Sequence, residues 1–322
     1  MNYCVLTTIN KPTKAIEELY KKFGNNLIIV GDKKTPNDWD YNGIKPILGT
    51  TSFAPDNHYA KKNLGYLEAM KKGAKLIYDT DDDNIPNDTW SIRKLETETD
   101  FSKTEKGWYN VYSYFKTNIW PRGFPLNMIG QTTASSAGHG VVLSSIQQGL
   151  SDGEPDVDSI ARLVLKDRDT IFADNRSINL QPYTWSPFNS QTTWWFPKAF
   201  PLMYLPVNCS FRMTDIWRSF IAQRCLWEIG ECVTFHSPSE VIQERNDHNL
   251  MKDFEDEVPG YLLNEKIIEV LNDLFLKSGE EFMCENLLTC YEALVTNKIL
   301  PLKEIDSVKK WISDYETTRN LE

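Results

Sequence analysis

Lys75-Leu76-Ile77-Tyr78-Asp79-Thr80-Asp81-Asp82-Asp83-Asn84-Ile85-Pro86 starts as a short apolar run and ends in four carboxylates within five positions. The apolar half reads as a buried strand, and Pro86 stops its continuation. In an extended chain alternate residues share a face, so Asp79, Asp81 and Asp83 point one way and Asp82 the other, with same-face Cα atoms roughly 6.5–7 Å apart. Two carboxylates about 5 Å apart repel by roughly 3 kcal/mol at an effective dielectric near 20. Crowding them at a strand end is unfavourable unless water or a cation sits among them. Mg²⁺ and Mn²⁺ take oxygen ligands and are commonly shared between carboxylates and substrate phosphates. Two plainer readings compete. One is a solvated acidic turn. The other is an EF-hand calcium loop, whose first, third and fifth places Asp79, Asp81 and Asp83 would fill; that pattern then wants Gly where the chain has Asn84, and an acidic residue where it has Trp90.

Upstream, residues 3–9 (YCVLTTI) read as a first strand, with Asn10 as a helix cap and Ile16, Leu19, Tyr20 and Phe23 at helical spacing. Residues 27–31 (LIIVG) form a second strand closed by Asp32, and Pro46-Ile47-Leu48 is a short third run. Asp56 is placed to cap a helix carrying Ala60, Leu64, Leu67 and Met70, which Gly73 ends. Strands alternating with helices predict an α/β fold, a Rossmann-type sandwich with a mostly parallel central sheet. Ligands in such folds bind beyond the C-terminal strand ends, which gathers Thr7, Thr8 and Asn10, then Asp32, then the acidic turn. No G-x-G-x-x-G follows the first strand and no Walker A motif is present, so the diphosphate of a nucleotide would be held by metal instead of a glycine-rich loop. Lys62 and Asn63, on the helix before the acidic strand, are candidates to reach that nucleotide; a lone helical lysine can equally be a solvated one.

The 322 residues, with 41% hydrophobic and 12% aromatic side chains, suffice for one large domain or two smaller ones. A formal net charge of −10 without a long basic run argues against general nucleic-acid binding. The N-terminus has no signal-type pattern, no apolar run reaches the length of a membrane span, and the six cysteines form no C-x-x-C pair. A cytoplasmic protein with reduced thiols, or one peripheral at a membrane, is the expectation.

Downstream, Tyr109-Asn110-Val111-Tyr112 reads as a strand, and Trp120-Pro121-Arg122-Gly123 as a rigid turn offering Arg122 to a phosphate or carboxylate, or as a structural cation closing a loop. Thr132 to Gly140 is small and polar, as in a mobile lid. Asp156 and Asp158 precede a helix with Ile160, Leu163 and Val164 inward; they are candidate catalytic groups or simple caps. The aromatic- and proline-rich segment 181–207 could wall a sugar site or form satellite core. Thr214 is placed to cap a helix whose first turn carries Asp215, a candidate base or a dipole partner. After Pro259 the pattern turns helical, predicting a domain over 1–258 and a helical extension over 259–322 that packs on it or serves self-association.

The chain resembles the STELLO-type glycosyltransferase family, plant Golgi proteins linked to cellulose synthase assembly, from about Ile9 to about Ser237. The likeness is carried by Thr35-Pro36-Asn37-Asp38-Trp39, Lys62-Asn63-Leu64-Gly65-Tyr66, Asp79-Thr80-Asp81-Asp82, Trp120-Pro121-Arg122-Gly123, Gln147-Gln148-Gly149 with Pro155-Asp156-Val157-Asp158, Pro206-Val207-Asn208, and Arg218 through Arg224 to Trp227-Glu228. The resemblance implies a GT-A-like fold with an Asp-x-Asp type metal site for a nucleotide sugar. Asp83 is an addition to the family's acidic motif and leaves the ligand register open. The plant proteins' membrane anchor has no counterpart in this sequence, and the C-terminal helices lie beyond the quoted motifs.

The combined expectation is a metal-dependent transferase moving sugar from a nucleoside-diphosphate sugar, a UDP-sugar by preference, to a saccharide or lipid-linked acceptor. Mn²⁺ or Mg²⁺ would sit on Asp81, Asp82 and Asp83. Thr7, Thr8, Asn10, Asp32, Lys62, Asn63, Asp79 and Asp81 would bind the nucleotide sugar. Arg122 would offset leaving-group charge, and Asp156, Asp158 or Asp215 would act as base. The alternatives are a nucleotide-sugar mutase and a non-enzymatic scaffold that kept the fold.

Overall fold

A computed structural model describes residues 1–319 apart from 104–106, 132–134, 166–169, 174–175, 238–239 and 245–248. The chain opens with β1 (Asn2–Thr7), α1 (Lys14–Phe23) and β2 (Leu27–Val30). Thr13, not Asn10, caps α1: its hydroxyl accepts the Ile16 N–H at 3.3 Å. Pro46-Ile47-Leu48 joins the sheet through a single parallel bridge between Ile47 and Val30. A 3₁₀ turn, Tyr59–Lys61, leads into α2 (Lys62–Lys71), and His58 caps that turn in place of Asp56, which instead takes ion pairs from Lys33 and Lys61. Then come β3 (Leu76–Thr80), β4 (Asn84–Pro86) and β5 (Glu96–Lys103).

Residues 109–112 are not a strand. Asn110 accepts the Tyr112 N–H and starts the one-turn helix α3 (Val111–Tyr114), because a short side-chain cap competes well with extended pairing here. Of the expected lid, 132–134 lie outside the described residues; the rest begins β6 (Ser135–Leu143), paired antiparallel along β5. There follow β7 (Ile146–Gly149), β8 (Asp152–Gly153), α4 (Ser159–Val164), β9 (Ile178–Asn179), β10 (Thr192–Trp195), α5 (Thr214–Leu226), β11 (Thr234–His236) and β12 (Val241–Gln243). Leu163 and Val164 of α4 face outward while Ser159, Ala161 and Arg162 are buried. The polar face turns inward because Glu257 and Asp253 lie there to receive Ser159 and Arg162.

The chain ends in α6 (Leu250–Asn272), α7 (Met283–Thr296) and α8 (Glu304–Arg319). The boundary expected after residue 258 falls inside α6, which carries Pro259 within it. Among the described residues no helix is long and apolar enough to cross a membrane.

The fold is mixed α/β around a large, mostly parallel sheet, ordered β2-β1-β3-β10-β7-β11-β9-β5-β6 among the described residues. The pairings make β1, β2, β3, β6, β7 and β11 run one way and the other strands of this sheet the opposite way. Alternation along β1 divides two cores. Tyr3 and Val5 face α2 and the C-terminal helices, in a cluster that also holds Trp195, Ile267, Leu287 and Trp311. Cys4 and Leu6 face α1, with Ile16, Leu19, Tyr78 and Trp194. Both faces of the sheet are therefore covered, and the free edge of the layers is where strands stop.

Candidate active site

The parallel strands β1, β2 and β3 end at one edge. Beyond them opens a cleft of about 390 Å³ lined by Thr7, Thr8, Asn10, Asp32, His58, Tyr59, Asp81, Asp82, Asp83, Gln191, Phe211 and Arg212, among others. The structure therefore gathers at one place the three strand-end groups that the sequence set side by side.

The acidic turn divides by burial. Asp79, still within β3, is fully buried and pairs with Lys62 Nζ at 2.8 Å and Arg218 Nη1 at 3.2 Å. It does not line the cleft, so direct nucleotide contact gives way to internal charge balance. Asp81 is half-buried; its Oδ1 accepts from Tyr59 Oη at 2.7 Å and Lys62 Nζ at 2.9 Å. Burial pushes its carboxyl up to about 6, against the pull of Lys62 and with the Asp83 charge adding to the rise. Asp82 turns to the first strand end, accepting from Thr8 Oγ1 at 2.5 Å and Asn10 Nδ2 at 3.0 Å, while its carbonyl takes the Thr13 hydroxyl. Asp83 accepts from Asn84 Nδ2. Thr8 is also tied to β2: its carbonyl accepts the Thr35 hydroxyl, which in turn accepts the Asp32 N–H.

Lys62 is fully buried beneath the turn, with Tyr59, Ser190, Asp79 and Asp81 around its ammonium. A buried lysine among carboxylates stays charged, and its pKa is held above the ordinary value: Asp79 and Asp81 outweigh the desolvation that opposes them. It can tune Asp81 but cannot reach a ligand. Asn63 is buried too; its amide donates to Phe53 O and Leu205 O and accepts from Leu205 N. Every polar position of that amide serves the backbone, so the expected nucleotide contact does not fit its place.

Arg122 meets Asp156 and Asp215 rather than an open site. Nε lies 3.0 Å from Asp156 Oδ1, Nη2 lies 2.8 Å from Asp156 Oδ2, and Nη1 and Nη2 each lie 3.0 Å from Asp215. Nη1 also donates to Arg212 O. All five guanidinium donors are thereby used. Asp156 takes Asn189 Nδ2 as well, and Asp215 takes Ser190 N and Ile216 N. All three side chains are buried, so the loop-closing reading of Arg122 prevails and neither aspartate is a free base. Asp158 is the helix cap of α4: it accepts Ala161 N at 2.8 Å and Trp120 Nε1 at 2.6 Å. Beside this cluster a water-sized cavity of about 20 Å³ is walled by Arg122, Gln148, Asp156, Asn189 and Gln191. Gln191 also lines the main cleft.

Sequence reading missed several cleft residues. His58 accepts the Ala60 N–H on Nδ1, which leaves the proton on Nε2; burial lowers its pKa, with Asp32 opposing. Tyr59 and the exposed Phe211 meet edge to face, with centroids 5.9 Å apart, and supply the aromatic surface of the cleft. The aromatics of segment 181–207 do not: Trp185, Trp194 and Trp195 are fully buried core. Arg212 lines the cleft from the 3₁₀ turn before α5. Tyr59 and His58 precede Lys62 closely enough for a helix-entry reading to have raised them; Phe211 and Arg212 carry no local signal.

Among the described residues no group of three or more His, Cys, Asp or Glu is arranged to hold a metal ion. Asp81 and Asp83 nevertheless share the cleft, and the charge of one raises the pKa of the other. Mg²⁺ characteristically takes one or two protein carboxylates and completes its shell with water and substrate phosphates, so this donor set fits such an ion.

An α/β sheet whose parallel strand ends carry an acidic turn into a ligand-sized cleft, with helices closing the chain, is the arrangement of a GT-A-like fold. Within that class the chain is similar in sequence to the STELLO-type glycosyltransferases. The profile of the family described as STELLO glycosyltransferases matches residues 212–319. "Probable glycosyltransferase STELLO1" of Arabidopsis thaliana is 30% identical over 267 residues, 74% of this chain and 35% of the relative. "Probable glycosyltransferase STELLO2" of the same plant is 28% identical over 268 residues, with the same shares of the two chains. The chain thus spans about a third of the length of the curated relatives it matches. The profile also corrects the extent of the likeness: it runs on past Ser237 through the C-terminal helices.

Proposed function

We propose that this protein transfers a sugar from a nucleoside-diphosphate sugar, by preference a UDP-sugar, to a hydroxyl of a saccharide or lipid-linked acceptor. The observation that carries this reading is the placing of Asp81, Asp82 and Asp83 on one cleft with the ends of β1 and β2, in a chain of the STELLO glycosyltransferase type. Asp81 and Asp83 would hold Mn²⁺ or Mg²⁺, with Asp82 committed mainly to Thr8 and Asn10. Such an ion supplies charge stabilisation to the departing diphosphate.

The protein's own groups prepare that step. Tyr59 and Lys62 orient Asp81 from behind and leave its other oxygen to the cleft. Thr8, Asn10 and Asp82 fix the first strand end as one hydrogen-bonded unit. Tyr59 and Phe211 offer flat apolar surface to a base or sugar ring. Asp156 and Asp215 are spent on Arg122 and Asp158 on the α4 cap, and none of them is assigned as base.

The test is release or transfer of sugar from a panel of nucleoside-diphosphate sugars in Mn²⁺ buffer. Asp81→Ala should lower the rate at least about a hundredfold, in keeping with loss of preorganised electrostatic stabilisation. Turnover by wild-type protein that Asp81→Ala leaves untouched, or no donor binding at all, would defeat the reading.

A further inference from the structure

Cations near the cleft differ in how many of their donors are already taken. Lys61 gives its three protons to Gly49 O, Thr50 Oγ1 and Asp56 Oδ1. Lys62 and Arg122 are saturated as described above. Arg212 is not. Its Nε donates to Glu257 Oε1 at 3.0 Å; Nη2 lies 2.9 Å from the same oxygen but makes no well-directed hydrogen bond to it. The next carboxylate, Asp156, is 4.0 Å from Nη2. Nη1 makes no hydrogen bond to the described residues. The side chain is nonetheless only 10% exposed, and it faces the cleft that also holds the acidic turn. No ion pair joins Arg212 to Asp81, Asp82 or Asp83 among the described residues. A desolvated guanidinium with Nη1 free, kept apart from three carboxylates in one cleft, suits an anion that itself carries a cation.

We propose that Arg212 grips the diphosphate of the nucleotide donor, and that Glu257 of α6 is its positioning residue; this rests on the nucleotide-sugar reading above. Glu257 is suited to the task because it cannot swing: it is fully buried, and its other oxygen accepts from Ser159 N at 2.7 Å, Ser159 Oγ at 2.8 Å and Tyr261 Oη at 2.7 Å. With Nε and the buried Nη2 both turned to Glu257, the guanidinium keeps Nη1 for a phosphate oxygen, a charge-assisted contact. The C-terminal helices thereby take part in ligand binding although none of the expected site residues lies on them.

The experiment is calorimetric titration, in Mn²⁺ buffer, of UDP and GDP, each against its own nucleoside. For the nucleotide that wild type binds, Arg212→Ala should weaken the diphosphate at least about tenfold while the nucleoside affinity holds. Arg212→Lys should recover only part of the loss. Because Arg212→Ala leaves Glu257 buried without its partner, Arg212→Gln combined with Glu257→Gln is measured alongside; it should restore the wild-type unfolding midpoint without restoring diphosphate affinity. Wild-type binding that every Arg212 variant preserves overturns the role of Arg212 and leaves the nucleotide-sugar reading standing. Binding of neither diphosphate by wild type overturns both.

Discussion

A guanidinium is defined by its unspent donors. Arg122 sits in the turn that sequence reading offered to a ligand, yet two bidentate aspartates consume it. Arg212, just before the helix start marked by Thr214 and Asp215, lines the cleft and keeps Nη1 free of hydrogen bonds to the described residues. Carboxylates sort in the same way. Asp158 is fully buried, and desolvation pushes its pKa up to about 6 even though Ala161 N–H and Trp120 favour its charge. A carboxyl whose folded pKa exceeds its unfolded value of 3.8 binds more protons in the folded state across that interval. Its contribution to stability is complete below about pH 3.8 and is lost as pH rises to about 6. The urea unfolding free energy of wild type minus that of Asp158→Asn should therefore fall between pH 4 and pH 6 and level off above pH 7. A flat difference would show that the cap's hydrogen bonds cancel the desolvation.

At the scale of elements, the packing of α2 on the sheet sets the site. The helix approaches so closely that a Cβ on Gly65 would come within 2.5 Å of Val5 Cγ1 and 2.7 Å of Val30 Cγ2. That approach carries Lys62 under Asp79 and Asp81, and Asn63 against Leu205. Gly65→Ala should push the helix off the strands and lower stability by roughly 1–3 kcal/mol, the usual range for overpacking a filled core. Denaturant titration measures it. Because the displaced helix also withdraws Lys62 from Asp81, the variant should lose nucleotide affinity beyond what its unfolded fraction explains.

The whole molecule depends on its C-terminal helices. Glu304 at the start of α8 is fully buried and accepts from Tyr204 Oη at 2.6 Å, Val207 N at 3.2 Å, Asn208 N at 2.9 Å and Asn208 Nδ2 at 2.7 Å. One carboxylate thus pins the Pro206-Val207-Asn208 corner that precedes Phe211 and Arg212. Glu304→Ala strands these donors in the interior and should cost at least about 3 kcal/mol, read by urea unfolding. Trp311 of α8 reaches as far as Pro201 O, in the same core as β1 and β10. Helix and sheet domain should accordingly unfold in one transition, with near- and far-ultraviolet dichroism coinciding.

The sequence by itself determined what depends on neighbours along the chain. Apolar runs broken by Gly and Asp marked β1, β2 and β3, the 3.6-residue period marked α1 and the closing helices, and the acidic turn marked the cleft before any contact was known. Thr8, Asn10 and Asp32 followed from the rule that parallel strands deliver their ends to one edge. Tertiary structure alone decided which polar groups remain available there. Asp79 and Asp81 stand two residues apart with the same chemistry, yet one is sealed by Lys62 and Arg218 while the other reaches the cleft. Arg212 is oriented by Glu257, 45 positions away. Periodicity reports which face of an element is buried. Whether a charge on that face is spent or free depends on partners brought in from distant chain, and hydrogen-bond saturation leaves no trace in local spacing.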